Sequence, residues 1–147
     1  CYYKDSTMDW TLRNVWSQLL TPSSAFFYQD NVTYHKLAFP INTNIRWDGN
    51  DQNTDEEELY QYEEIHSSTD LSSADYNNNV TNISFDSTIT VLQRDDIYFI
   101  GSIYGKEIYA ENVGMIFHQR DDLDFNGIGQ ISSGTEYKMT AIDYGPH

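Results

Sequence analysis

Hydrophobic and polar positions alternate most cleanly between Ile83 and Leu92. Ile83, Phe85, Ile89 and Val91 share one parity, and Ser84, Asp86, Thr88 and Thr90 share the other. A period of two puts successive side chains on opposite faces of a sheet, so this stretch predicts a strand with its four apolar residues buried together. Weaker versions of the pattern recur. Val32 to Phe39 predicts a strand closed by Pro40, and Leu59 to His66 a strand with Tyr60, Tyr62 and Glu64 on one face. Ile97 to Tyr104 and Lys106 to Ala110 read as strands split by Gly105, Val113 to Gln119 as a strand carrying Met115 and Phe117, and Glu136 to Tyr144 as the last strand.

Polar segments separate these runs. Ile41 to Glu58 predicts a long loop with Arg46-Trp47 in a short strand, Ser67 to Asn79 a loop, Arg94-Asp95-Asp96 a turn, and Asp121 to Gly134 a turn-rich loop. Met8 to Leu20 fits an amphipathic helix, with Trp10, Val15, Trp16, Leu19 and Leu20 as its apolar set, or a strand. Its β-branched and aromatic neighbours favour the strand, and Thr21-Pro22-Ser23-Ser24 ends it. Short strands between polar turns predict a mainly β chain: an antiparallel, curved sheet, a sandwich or a partly closed barrel. The absence of a βαβ rhythm disfavours a parallel sheet. At 147 residues the chain fits one β-rich domain over 1–147.

Charge narrows the partners. The formal net charge is −15 at pH 7. Phosphate recognition needs a basic footprint, so nucleic acid is excluded as a partner, and direct docking on an anionic membrane is disfavoured. A cationic partner or a divalent cation suits this charge, and solubility alone also accounts for it. No 18-residue apolar stretch is present to form a transmembrane segment. Cys1 is the one cysteine, which precludes an internal disulfide.

Candidate chemistry is sparse. Asp122-Leu123-Asp124-Phe125-Asn126-Gly127 matches the opening of a calcium loop, in which oxygens at alternate positions point inward and Gly permits a sharp turn. Asp122, Asp124 and Asn126 are the metal candidates. The twelfth position, where a bidentate Glu belongs, is Ser133; Glu136 lies three residues further on. A polar hairpin with Asn126-Gly127 at its turn is the simpler reading. Asp48, Asn50, Asp51, Asn53 and Asp55 crowd a second oxygen-rich loop with no standard cation spacing. His35, His66, His118 and His147 form no zinc-binding pair. No nucleophile elbow, phosphate loop or dinucleotide motif occurs, so no catalytic residue is assigned and no cofactor beyond calcium is expected. Trp10, Trp16 and Trp47 with Tyr60, Tyr62, Tyr98 and Tyr104 would suit a sugar-stacking platform, or else core packing. Asn31, Asn79 and Asn82 open formal N-glycosylation sequons.

Several segments resemble a group of uncharacterised Bacteroidota cell-envelope lipoproteins. Residues 85–93 (FDSTITVLQ) are similar to that group's "FDSTLTVLQ" strand, residues 107–116 (EIYAENVGMI) to its "YAKGVGLIYKE" strand, and residues 137–145 (YKMTAIDYG) to its closing "LIDYG". Leu37-Ala38-Phe39-Pro40-Ile41 and Trp47-Asp48-Gly49-Asn50 are similar to its "LxFPI…WxGN" segment. The resemblance implies a β-rich fold, an extracytoplasmic location at the outer membrane, periplasm or cell surface, and protein partners in the envelope. It brings no catalytic residues. Two readings of Cys1 follow: a lipidated mature N-terminus, which would be the sole membrane attachment, or an internal residue of a longer chain of which 1–147 is the C-terminal portion. Asp5-Ser6-Thr7 and Asp86-Ser87-Thr88 fit the O-glycosylation pattern of exported Bacteroidota proteins, making Ser6 and Ser87 candidates. The functional expectation is a non-enzymatic binding or accessory subunit of an envelope assembly. The alternative is a glycan-binding module or glycoside hydrolase, whose carboxylate pair sequence alone does not reveal.

Overall fold

The computed structural model describes residues 2–3, 11–12, 16–74, 79–141 and 144–145. Every regular element among them is a strand: β1 (Tyr2–Tyr3), β2 (Thr11–Leu12), β3 (Trp16–Leu20), β4 (Ser24–Gln29), β5 (Val32–Ala38), β6 (Arg46–Asp48), β7 (Leu59–Ala74), β8 (Val80–Tyr98), β9 (Gly101–Ala110), β10 (Gly114–Phe125) and β11 (Ile131–Thr140). β1 pairs with β2, β3-β4-β5 form a three-stranded sheet, and a six-stranded sheet has the order β11-β10-β9-β8-β7-β6. The expected all-β, antiparallel class is adopted, and neither larger sheet closes into a barrel. The described part of Met8 to Leu20 is strand. Contacts divide the chain into two compact units, one of Cys1–Ile41 and Trp47–Leu59, the other of Asn42–Arg46 and Tyr60–His147.

In the first unit, β4 and β5 are joined at Asp30-Asn31, whose φ angles of 51° and 66° are the left-handed pair that a tight hairpin turn requires. Phe26 stacks on His35 with ring centres 4.8 Å apart, and Trp16 meets Phe27 edge-on at 5.4 Å. Trp47 is buried, and its Nε1–H donates to the His35 carbonyl at 2.9 Å. β4 has no counterpart in the sequence pattern. Half-buried residues fall on both of its faces, between a buried Ser24 and an exposed Tyr28, so Ser-Ala-Phe-Phe-Tyr-Gln shows no alternation.

The second unit corrects several expected boundaries. Of the loop expected at Ser67 to Asn79, residues 67–74 are the outer half of β7, paired as far as Ala74 with Val80 of β8, and residues 75–78 lie outside the described residues. The turn expected at Arg94-Asp95-Asp96 is strand, and β8 turns at Phe99-Ile100 instead. Gly105 does not split β9; it pairs with Arg120 within a continuous strand. Asp121 to Gly134 is two strand ends around a short turn, and the last strand ends at Thr140. These segments are rich in polar and turn-favouring residues, yet each backbone finds its hydrogen bonds in a neighbouring strand.

The buried set of β8 also differs from expectation. Thr69 pairs with Phe85 and Ser67 with Thr88, so Asp86 and Ser87 together lie opposite one residue of β7. That bulge reverses the parity of the strand. Phe85 packs with Ile108, Ala110 and Ile116, and Ile108 and Ala110 are the cross-strand partners of Thr90 and Thr88. Phe85, Thr88 and Thr90 therefore share one face, while Ile89 and Val91 occupy the other. Thr88 and Thr90 are buried, and Val91 is fully so on the opposite face. Thr88 is satisfied there: its hydroxyl donates to the Ser67 carbonyl and bonds the Thr69 hydroxyl, each at 2.9 Å. Tyr144 closes over Phe85, ring centres 5.2 Å apart.

Candidate functional site

On the Val91 face of the larger sheet, β9 and β10 bring together three polar side chains. Val91 pairs with Glu107, and Glu107 with His118. Glu107 is 1% exposed. Its Oε1 lies 3.0 Å from His118 Nδ1, and its Oε2 accepts the Tyr109 hydroxyl at 2.5 Å. Burial, the Glu107 charge and that hydrogen bond hold the Tyr109 phenol well above its usual pKa of 10.0. His118 also meets Tyr137 edge-on at 5.7 Å. A carboxylate accepting Nδ1–H fixes the imidazole tautomer, which is the base-and-orienter half of a nucleophilic triad. Among the described residues no hydroxyl or thiol is hydrogen-bonded to His118 to supply the nucleophile. What the arrangement does is satisfy a buried charge, as the low-dielectric interior demands.

The oxygen-rich loop of the first unit is structured from within. Asp48 Oδ1 accepts Asn50 N–H at 2.9 Å and Glu58 N–H at 3.0 Å. Asn53 Nδ2 donates to the Thr33 carbonyl at 2.9 Å, and Asn50 Nδ2 to the Glu56 carbonyl at 2.6 Å. Asp51 Oδ2 accepts from His35 Nδ1 at 3.1 Å. These side chains act as local caps and turns.

The calcium candidates are spread along a strand. Asp122 and Asp124 are exposed on β10, and Asp124 Oδ2 accepts the Ser133 hydroxyl at 2.8 Å. Asn126 folds its Oδ1 back onto the N–H groups of Ile128 and Gln130, at 3.1 and 3.0 Å. Among the described residues no three His, Cys, Asp or Glu side chains are placed to hold a metal. Trp47, Tyr60 and Tyr62 are buried, which fits core packing for these three; Tyr98 is exposed. Ser87 is half-buried at the β8 bulge, with its carbonyl accepting Glu111 N–H at 3.0 Å. Asn31, Asn79 and Asn82 are exposed. Cys1, Ser6, Trp10 and His147 lie outside the described residues.

Five strongly exposed apolar side chains, the three most exposed of the described residues among them, lie at one end of the larger sheet, unanticipated from sequence. The β8–β9 turn carries Ile97 at 80%, Phe99 at 90% and Ile100 at 61% exposure; the β10–β11 turn carries Ile128 at 79% and Ile131 at 61%. The two hairpins adjoin: Phe125 N–H donates to the Ile100 carbonyl at 2.7 Å, and Asp124 pairs with Gly101. Their approach is close. A Cβ at Gly101 would lie 2.5 Å from the Leu123 carbonyl oxygen and 2.9 Å from the Tyr98 ring, so the end is tightly built. A two-residue hairpin loop draws on Gly, Asn and Asp. Phe99-Ile100 supplies none of these, and neither residue has positive φ. The signal in the sequence was the apolar run Ile97-Tyr98-Phe99-Ile100 at a hairpin tip.

No family model matches the chain, and no curated protein or solved structure shows significant similarity to it.

Proposed function

We propose that the chain is a non-enzymatic binding or accessory subunit of a protein assembly in the cell envelope. One observation carries the binding reading: five large apolar side chains stand exposed on two adjoining hairpin tips, in a chain of net charge −15. Large apolar side chains left exposed together on adjoining turns are a mark of an interaction surface. Removing each of these side chains from water is worth about 1.5–3 kcal/mol before the costs of association. The envelope setting rests on the resemblance of residues 85–93, 107–116 and 137–145 to envelope lipoproteins, and a lipid anchor at Cys1 belongs to the same reading. Among the described residues no helix is long and apolar enough to cross a membrane. The non-enzymatic reading is supported by Glu107, Tyr109 and His118 being engaged with one another inside the sheet.

The test is capture from native envelope by the wild-type chain and by Phe99→Ser/Ile128→Ser, followed by reconstitution with the purified partner. The expected outcome is a stoichiometric partner bound by the wild type and released by the double variant. Equal binding by both, or glycan hydrolysis by the purified chain, would overturn the proposal.

A further inference from the structure

The chemistry around the apolar tips specifies the partner, granted the binding reading above. The two tip segments, residues 95–105 and 121–137, contain six carboxylates: Asp95, Asp96, Asp121, Asp122, Asp124 and Glu136. They contain no Lys or Arg. The neighbouring Arg94 directs its Nε to Asp96 at 2.7 Å. Beside the tips, Leu123, Ile131 and Glu136 help to line a shallow, open depression of about 270 Å³. Asp121 pairs with Glu136, Leu123 with Gly134 and Phe125 with Ile131, which puts Leu123, Ile131 and Glu136 on one face. Two aliphatic walls and one carboxylate suit a Lys or Arg side chain, whose stem packs on apolar surface while its charged head remains near solvent.

We propose that the double-hairpin end docks into an apolar pocket of another protein, that the pocket is ringed by Lys and Arg, and that one of these cations occupies the Leu123–Ile131–Glu136 depression. Complementary charge would steer the encounter and fix its register. A second copy of this chain is a poor occupant, because a symmetric tip-to-tip contact sets like-charged tips against each other, with Asp96 of the six carboxylates ion-paired to the neighbouring Arg94. An anionic lipid surface is repelled in the same way.

The experiment is a displayed dodecapeptide library panned on the intact wild-type chain and counter-selected on Phe99→Ser/Ile128→Ser. The variant keeps the full net charge, so peptides held by charge alone are removed. Both substituted side chains are exposed on turns, so the fold is preserved, which circular dichroism checks. Enrichment of peptides combining Lys or Arg with Leu, Ile or Phe is expected. The selected peptide should bind the double variant at least about tenfold more weakly, and Glu136→Gln several-fold more weakly, with affinity falling as salt rises. Acidic or uncharged consensus peptides, or no enrichment, would overturn the cationic assignment while leaving envelope capture to decide the binding reading. Tip-dependent binding to phosphatidylcholine or phosphatidylglycerol vesicles would assign the end to lipid. Tip-dependent dimerisation in sedimentation would assign it to self-association, and either result rejects the proposal.

Discussion

Glu107 and His118 face each other across β9 and β10, with carboxylate and imidazole 3.0 Å apart and Glu107 almost wholly withdrawn from water. Breaking one side of a buried polar pair costs more than the pair contributes, because the remaining group keeps its desolvation penalty. His118→Ala leaves Glu107 Oε1 without this donor. It should lower unfolding free energy by about 1–3 kcal/mol, read as a shift in urea midpoint at unchanged m-value. A wild-type midpoint would show that the contact is not needed to hold the buried carboxylate.

Tyr109 gives the same cluster an alkaline signature. Burial first, then the Glu107 charge, holds its folded pKa well above the unfolded value near 10. Below pH 10 both states keep the proton and the stabilising contribution is complete. Above pH 10 the unfolded chain ionises first and binds fewer protons, so stability falls as pH rises, by up to about 1.4 kcal/mol per pH unit for this group. Tyr34 and Tyr104 are raised in the same direction, chiefly by burial and then by nearby carboxylates. Urea unfolding from about pH 9 to 11 should show this decline. Tyr109→Phe should be less stable at neutral pH, through loss of its bond to Glu107, and should decline less steeply above pH 10. Parallel curves for the two proteins would contradict the assignment.

The β class was legible because alternation survives where one face of a strand is buried, as at Ile83 to Phe85, whereas in Val113 to Gln119 a bulge at Ile116 interrupts it. It failed where that condition fails. In the outer half of β7 one face is half-buried but carries Ser67, Thr69 and Ser73 beside Leu71, and β11 is exposed over most of its length, so hydrophobicity there carries no period, although the backbone still pairs. The Asp86-Ser87 bulge was invisible for a different reason. It depends on which residue of β7 lies opposite, and a single strand does not record its partner's register. The polar cluster was hidden likewise: Glu107 and Tyr109 are two apart in sequence, but His118 joins them only through the β9–β10 pairing. The apolar tip is written plainly at Ile97 to Ile100, where an apolar run reads equally as the start of a strand.

Thr88→Val tests the bulge directly. On the originally expected face a Thr to Val change would be neutral or favourable, since Val is the better strand former. In the observed register Thr88 is 2% exposed, and its hydroxyl bonds both the Ser67 carbonyl and the Thr69 hydroxyl. The substitution should therefore cost about 1–3 kcal/mol, while Ser84→Val, at an exposed position, should change stability by less than about 0.5 kcal/mol. Thermal or urea unfolding of the two variants decides between the registers; equal effects would reject the bulge.

Calcium should not stabilise the chain, and the reason is geometric. A calcium loop curls so that successive oxygens converge on one point. Asp122 and Asp124 instead sit on an extended strand held on both sides, paired with Ile103 and Gly101 of β9 and with Thr135 and Ser133 of β11. Asn126 spends its carbonyl oxygen on the turn it begins. Glu136, the one carboxylate near enough in sequence to complete a site, pairs with Asp121. Cross-strand partners share a face, and Asp121 alternates with Asp122, so Glu136 lies on the face opposite Asp122 and Asp124. A ligand that binds only the folded state raises stability by RT ln(1 + [L]/Kd), about 2.7 kcal/mol at a hundredfold excess over Kd. Wild-type protein should therefore melt at the same temperature in millimolar calcium as in chelator. A calcium-dependent rise in melting temperature that disappears in Asp124→Ala would show that the β10–β11 end opens into a loop and closes around the ion.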